Sequence, residues 1–156
     1  WGEKPRDEDS HLVGSDGTSA PYHVYYGNKD AYDANGNRIA WLDHDDTTSY
    51  GPETLTFDVN SNGTYNYYVH NYSGEAPLNT SGAKVELWKG NTLIKTYTIP
   101  ADWSDQNIWG VFSIVHGQVV DFQGTDVPSQ ADARSVTPAN PLDGIEQSLA
   151  NLPKKQ

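Results

Sequence analysis

The residues most able to do chemistry are carboxylates, which gather in two short runs near the beginning of the chain. The first run is Asp7-Glu8-Asp9, and the second, Asp43-His44-Asp45-Asp46, is followed by Glu53. Clustered carboxylates repel one another unless a cation neutralises them. Ca²⁺ accepts six to eight oxygen ligands, often from irregular loops. The two runs therefore predict one Ca²⁺ site, with these candidate ligands: Asp7, Asp9, Asp43, Asp45, Asp46 and Glu53.

Histidines make Zn²⁺ the competing ion for this part of the chain. Four of the five histidines lie within the first 70 residues, and imidazole nitrogen is a preferred zinc ligand. Their spacing matches no standard zinc motif. A zinc site would use His11, His23 and His44, whereas His70 lies in an aromatic segment where a packed, hydrogen-bonded histidine is the commoner outcome. The alternative to either ion is ordinary turn capping by Asp and Asn in solvated loops.

Alternating apolar residues predict β-strands as the elements that hold these side chains. Residues 54–59 place apolar side chains on one face, and residues 64–72 follow after Asn62-Gly63. Asn-Gly between two such runs is a strong hairpin signal, so we expect these two strands to pair. Two further hairpins are predicted on the same grounds: residues 84–89 with 92–99 around Gly90-Asn91, and residues 108–115 with 118–122 around His116-Gly117.

The rest of the chain divides into a beginning with few strand signals and a tail. Short strands are expected near residues 11–13, 22–26 and 39–42, separated by long loops. No helical period is found before the tail, so residues 1–123 are predicted to form one all-β domain, an antiparallel β-sandwich of the immunoglobulin-like or jelly-roll-like kind. Residues 124–156 have the composition of a linker. Within them, residues 142–152 have the apolar spacing of a short helix that docks on the sandwich.

Aromatic side chains supply a second candidate surface, for a carbohydrate or peptide ligand. In the strand 64–72, alternation puts Tyr68, His70 and Tyr72 on the face opposite Val69. If Val69 faces the core, the other three form an outward stripe, and aromatic rings stack well on sugars at low entropic cost. Ordinary packing is the alternative. Two tryptophans are further ligand-binding candidates: Trp41, and Trp88 if Val85 and Leu87 point inward.

Several of these residues carry a family resemblance. The elements are Asp7-x-Asp9-x-His11-Leu12-Val13, Asp16-Gly17, Tyr25-Tyr26-Gly27, Asp45-Asp46, Tyr50-Gly51-Pro52-Glu53, Gly63-Thr64-Tyr65 and Tyr68-Val69-His70-Asn71-Tyr72. Together they resemble the YfaP-like family of bacterial exported β domains, over residues 1–114. The resemblance implies an extracytoplasmic sandwich domain, often appended to a larger surface or secreted protein and without an established enzymatic activity. It implies no particular ligand.

Composition narrows the class of protein. The chain has no cysteine, which excludes disulfides and thiolate chemistry, and a net charge of −11, which disfavours nucleic acid and anionic lipid as partners. No apolar run is long enough to insert across a membrane. Aromatic residues make up 12%, and Lys and Arg are few, which is typical of a β-rich exported bacterial protein. A secreted or cell-surface location, as a domain of a larger chain, is therefore expected.

The sequence carries no catalytic signature. Nucleophile elbows, the zinc-protease helix motif, phosphate-binding loops and dinucleotide fingerprints are all lacking from the sequence. We therefore expect not an enzyme but a non-catalytic extracellular calcium-binding module that binds a glycan or other surface polymer, or acts in adhesion. A structural spacer domain is the alternative. A glycoside hydrolase pairing Asp45 or Asp46 with Glu53, or another metal-dependent hydrolase, is a weaker one.

Overall fold

The structure is a computed structural model that describes residues 1–123, so the predicted tail at 124–156 and its helix at 142–152 lie outside the described residues. Within the described part, strands and one short 3-10 helix (Leu78–Thr80) form the fold, and the predicted all-β class is confirmed. The strands are β1 (Glu8–Ser15), β2 (Tyr22–Val24), β3 (Asp30–Tyr32), β4 (Arg38–His44), β5 (Thr54–Phe57), β6 (Thr64–Asn71), β7 (Lys84–Lys89), β8 (Thr92–Thr98), β9 (Ile108–Val115) and β10 (Gln118–Val120).

The strands form three antiparallel sheets in a sandwich-like arrangement. The largest has the order β10-β9-β6-β1-β2, and the smaller ones are β3-β4-β5 and the β7-β8 hairpin. One hydrophobic core joins all three sheets, because it contains residues such as Leu12 of β1, Tyr65 of β6 and Leu42 of β4, with Leu87 of β7 packed against it. Fully burying side chains of this size stabilises a fold by about 1.5–3 kcal/mol each.

β1 is the strand that positions the candidate ligands, and it is buried on both faces. Leu12 points into the core, while Val13 packs with Tyr68 and Ile108 on the other face of the same sheet. β6 pairs along the whole length of β1, but β2 covers only residues Leu12, Val13 and Gly14 on the other edge. The backbone of β1 before Leu12 is therefore open to contact from another segment.

The turn at Asn62-Gly63 does not make the predicted hairpin. β5 pairs with β4, while β6 pairs with β1 and β9, so the two strands flanking the turn belong to different sheets. The turn crosses from one sheet to the other because the phenol of Tyr65 packs on Phe57 and accepts a hydrogen bond from the Asn60 amide. That packing places the apolar faces of β5 and β6 against each other across the core.

The other two hairpins are confirmed. β7 and β8 pair around Gly90-Asn91, and β9 and β10 pair around His116-Gly117. Gly90 adopts a φ of 57°, and His116 and Gly117 adopt φ of 50° and 75°, the left-handed backbone that tight hairpin turns require. The three strands expected in the N-terminal third also form, although β1 and β4 are longer than predicted, and β3 was missed.

A substitution at Gly63 tests the crossing turn. A Cβ at this position would lie 2.7 Å from the Ser15 carbonyl oxygen and 2.5 Å from the Tyr65 hydroxyl. Gly63→Ala is therefore expected to lower the free energy of unfolding by about 1–3 kcal/mol, as overpacking does, measured by urea denaturation. Ser61→Ala, at an exposed position of the same turn, is the control and should change stability little. Equal stability of the two variants would contradict this packing.

Candidate metal centre

The β1–β6 ladder brings an acid and two histidines together. Asp9 lies opposite His70, and His11 lies opposite Tyr68. Because directly opposed residues project to the same face of a sheet, and because side chains alternate along a strand, Asp9, His11 and His70 share one face. It is the face away from the main core.

The geometry of this group suits a metal ion. One ligand atom from each of Asp9, His11 and His70 lies within 4.8 Å of the other two, and His70 Nδ1 is 3.8 Å from Asp9 Oδ2. Asp9 is 1% exposed and His11 is fully buried. The Nδ1 atom of His70 is also buried and makes no hydrogen bond. Two imidazoles and a carboxylate are the donors that zinc and related ions prefer.

A third histidine orients the first. His11 Nδ1 lies 2.9 Å from His23 Nε2, at hydrogen-bonding distance. Burial lowers the pKa of His23 to about 4, so its ring is neutral near pH 7 and its Nε2 can accept a hydrogen bond from His11 Nδ1–H. In that tautomer, Nε2 is the nitrogen of His11 that would bind a metal, and an outer partner commonly orients a ligating histidine in this way. The Tyr25 ring stacks on the His11 ring, with the ring centroids 5.5 Å apart and the two planes within 3° of parallel.

A second group of ligands shares Asp9. Carboxylate oxygens of Asp9, Asp45 and Glu53 also lie within 4.8 Å of one another. Glu53 reaches the open edge of β1, where its Oε2 accepts a hydrogen bond from the Ser10 amide at 2.6 Å. Its Oε1 is buried and makes no hydrogen bond. Asp45 forms an ion pair with Lys29 at 3.0 Å.

Bringing these carboxylates together makes the ionised form of Glu53 unfavourable, as its pKa shows. Burial, followed by the negative charge of Asp9, raises the pKa of Glu53 to about 9. Without a cation, the side chain is therefore protonated near neutral pH. A divalent ion beside Asp9 and Asp45 would reverse that balance, because it favours the charged form of every carboxylate around it.

A turn with left-handed backbone conformation precedes Glu53 and places it beside β1. Ser49, Tyr50 and Gly51 all have positive φ, and the Trp1 ring lies against Gly51. The Tyr50 amide donates to the Gly2 carbonyl, which ties this turn to the N-terminal segment. The predicted convergence of the two acidic runs is therefore found in the structure, through Asp9, Asp45 and Glu53.

Other predicted calcium ligands need correction. The carboxylate of Asp43 accepts hydrogen bonds from Trp41 Nε1 and Thr56 Oγ1, both at 2.6 Å. Asp46 accepts hydrogen bonds from the amide and hydroxyl of Thr48, as a turn-capping residue does. Neither belongs to a ligand group among the described residues, and each carboxylate is instead engaged by these neighbours. Asp7 is buried but is likewise in neither group.

The predicted zinc triad also needs correction. His44 is exposed at the end of β4 and belongs to neither group, and His23 contacts His11 from outside the first group. His70, which was expected to pack or to belong to the outward aromatic stripe, groups with Asp9 and His11 in place of these two. The period-two spacing of Asp9 and His11 was readable, but the β1–β6 register that brings His70 opposite Asp9 was not.

The predicted outward stripe of aromatic residues is wrong at its first member. Tyr68 does face away from Val69, but it is 1% exposed because it packs between the His11 ring and Phe122. His70 and Tyr72 are partly buried. Tyr68 is therefore unavailable as a platform for a sugar.

The predicted tryptophans have different surroundings. Trp88 is 51% exposed, with Val85 and Leu87 facing the core, so its predicted orientation is confirmed. Trp41 is half-buried beneath the Arg38 guanidinium, 4.2 Å from the ring centre.

No family model matches the chain, and no solved structure matches it. The described residues include no helix that is long and apolar enough to span a bilayer. The chemistry of the side chains is therefore the basis for a function.

Proposed function

We propose that this protein is a non-catalytic binding module of a bacterial secreted or surface protein, stabilised by a divalent cation bound at Asp9. One observation carries the proposal: a carboxylate that is 1% exposed lies within ligand distance of two histidines and, separately, of two further carboxylates. Burying charged carboxylates together is costly, and a cation offsets that cost directly. The ion would hold β1, β6 and the β4–β5 loop in one arrangement.

Zn²⁺ is the ion that best fits the donors. Asp9, His11 and His70 supply two nitrogens and one oxygen, whereas calcium prefers oxygen alone. The outer contact from His23 to His11 also matches the usual support of a zinc ligand. The calcium expected from the sequence remains the second candidate, at the all-oxygen group of Asp9, Asp45 and Glu53.

The sequence carries no catalytic signature, so the ion is proposed to stabilise the fold rather than to catalyse a reaction. Three protein donors leave the fourth position of a tetrahedral zinc for a further oxygen. The burial of Asp9 and His11, which are 1% and 0% exposed, fits an ion that ties β1 to β6. The composition supports a secreted or surface location, where the partner would be a glycan or another surface polymer. A spacer domain stiffened by the same ion is the alternative.

Two variants separate the two ions. The melting temperature would be measured after metal removal, and then with Zn²⁺ or Ca²⁺ added. His70→Gln is expected to abolish stabilisation by Zn²⁺, because it removes a nitrogen donor from the first group. Glu53→Gln is expected to abolish stabilisation by Ca²⁺, because it removes one of three carboxylates from the second group. At 100 times the dissociation constant, binding stabilises a native protein by about 2.7 kcal/mol.

Matched controls come from the residues that the structure leaves outside both groups. His44→Gln, at an exposed position, and Asp46→Asn, at a partly buried one, likewise replace an imidazole and a carboxylate by an amide, and both should keep the wild-type response to metal. If chelator and added ions leave the wild-type melting temperature unchanged, the proposed function fails. If His44→Gln removes the zinc response, then His44 is a zinc ligand and the proposed site is wrong.

A further inference from the structure

A polar cleft lies beside the proposed cation site. Its volume is about 500 Å³, within the range of small-molecule sites, and it opens between the segment before β1, the β4–β5 loop and the segment after β6. It is lined by Arg6, Asp7, Thr47, Thr48, Tyr72, Ser73 and Glu75.

The cleft and the cation site are built from the same three segments. Asp7 precedes Asp9 by two residues, Tyr72 follows His70 by two, and Thr47 follows Asp45 by two. The Tyr72 amide donates to the Asp7 carbonyl, so the β1–β6 pairing extends from the Asp9–His70 pair into the cleft. Two residues along a strand span about 7 Å, roughly the length of one sugar ring. A ligand of that size in the cleft would therefore lie next to the residues that hold the ion.

The side chains of the cleft define what it can hold. Arg6 is 64% exposed and only loosely paired with Glu75, at 3.8 Å, so its guanidinium can turn to a carboxylate ligand. Hydroxyl groups of Thr47 and Ser73 line the same space. Tyr72 adds an aromatic wall, held by an edge contact with Tyr26 at 5.4 Å. Arg6, the hydroxyl-bearing residues and an aromatic wall suit a ligand that has both a carboxylate and several hydroxyl groups, and the carboxylates of Asp7 and Glu75 can accept hydrogen bonds from those hydroxyls.

We propose that this cleft binds a small hydroxylated carboxylate, such as a uronic-acid residue of an acidic glycan, with Arg6 pairing its carboxylate and the cation at Asp9 taking one of its oxygens. This inference rests on the proposed function, since it uses the same ion, and it names the ligand class. It also moves glycan recognition from the buried Tyr68 to the cleft at Tyr72.

Titration of zinc-loaded protein with galacturonate, followed by amide chemical shifts, tests this site. Saturable shifts are expected at Arg6, Thr47 and Ser73. Galactose, which lacks the carboxylate, and acetate, which lacks the hydroxyls, are each expected to bind at least tenfold more weakly. Equal binding of galactose and galacturonate would overturn the role of Arg6, and no binding of galacturonate would overturn the site.

Variants distinguish failure of this inference from failure of the cation site. Arg6→Ala should lose galacturonate binding by at least tenfold while it keeps the zinc-induced rise in melting temperature. Thr18→Ala, in an exposed loop on another part of the chain, should change neither. Galacturonate binding that persists unchanged in chelator would overturn the contact with the ion. A zinc response without galacturonate binding would leave the proposed function standing and remove only this ligand.

Discussion

Glu53→Gln is expected to make the metal-free protein more stable at pH 9 while it removes the response to Ca²⁺. The pKa of Glu53 is raised from 4.5 to about 9, mainly by burial and then by the charge of Asp9. A raised folded-state pKa means that the native state holds the proton more tightly than the unfolded state does. The stability that this contributes is complete below pH 4.5 and is lost as the pH rises through 9.

Between pH 7 and pH 9, Glu53 contributes most of the expected change in the free energy of unfolding. Burial raises the pKa of Glu8 to about 7 and lowers that of His23 to about 4, so both contribute mainly at lower pH. One pKa unit corresponds to about 1.4 kcal/mol, so metal-free wild type should lose about 2 kcal/mol across this window. Glu53→Gln should lose much less, because glutamine does not ionise.

Urea denaturation at three pH values, in chelator, measures this slope. Glu8→Gln is the control, since it removes a buried carboxylate on the other face of β1 and should leave the loss between pH 7 and pH 9 in place. Saturating metal should flatten the wild-type slope, because a cation keeps Glu53 ionised in the native state. The same slope in wild type and Glu53→Gln would contradict the burial of an ionisable Glu53 beside Asp9.

Asp9→Asn is expected to abolish stabilisation by both ions. Asp9 belongs to both ligand groups, so its loss differs from that of His70 or Glu53, each of which belongs to one. For a domain of this size, stabilisation by about 2.7 kcal/mol corresponds to a rise of roughly 5–10 °C in melting temperature, all of which the variant should lose. The amide keeps nearly the same shape, so the metal-free variant should still fold.

Differential scanning calorimetry of metal-free and metal-loaded protein measures this loss. Asp43→Asn is the control, because Asp43 is bonded to Trp41 and Thr56 and lies outside both groups. A retained zinc response in Asp9→Asn would mean that the shared carboxylate is not a ligand. If Asp43→Asn also loses stabilisation by metal, then Asp43 is a ligand, as the sequence predicted.

Local patterns predicted the fold class and two of the three hairpins, but not the other strand pairings. The alternation around Leu55 and Phe57 located β5, and Gly90-Asn91 located the β7–β8 turn. Asn62-Gly63 has the same local chemistry as a hairpin turn, yet it crosses between sheets because Tyr65 packs on Phe57. Such a contact depends on how the whole core packs, and a local sequence pattern holds no information about that packing.

For the same reason, only some residues of the candidate site could be predicted from the sequence. Repulsion between acidic runs predicted that Asp9, Asp45 and Glu53 converge, and the structure brings them together. Local patterns do not specify the register between β1 and β6, so nothing in them places His70 beside Asp9. β1 itself was hard to recognise as a central strand, because buried polar residues occupy positions where apolar ones are usual.

Anomalous diffraction at the zinc absorption edge, from crystals grown with Zn²⁺, tests the central claim most directly. The proposal predicts one strong peak bounded by Asp9, His11 and His70, with metal–ligand distances of about 2.0–2.2 Å. His11 should bind through Nε2, with its Nδ1 still bonded to His23. A zinc peak at exposed His44 or His116, with none at Asp9, would contradict it.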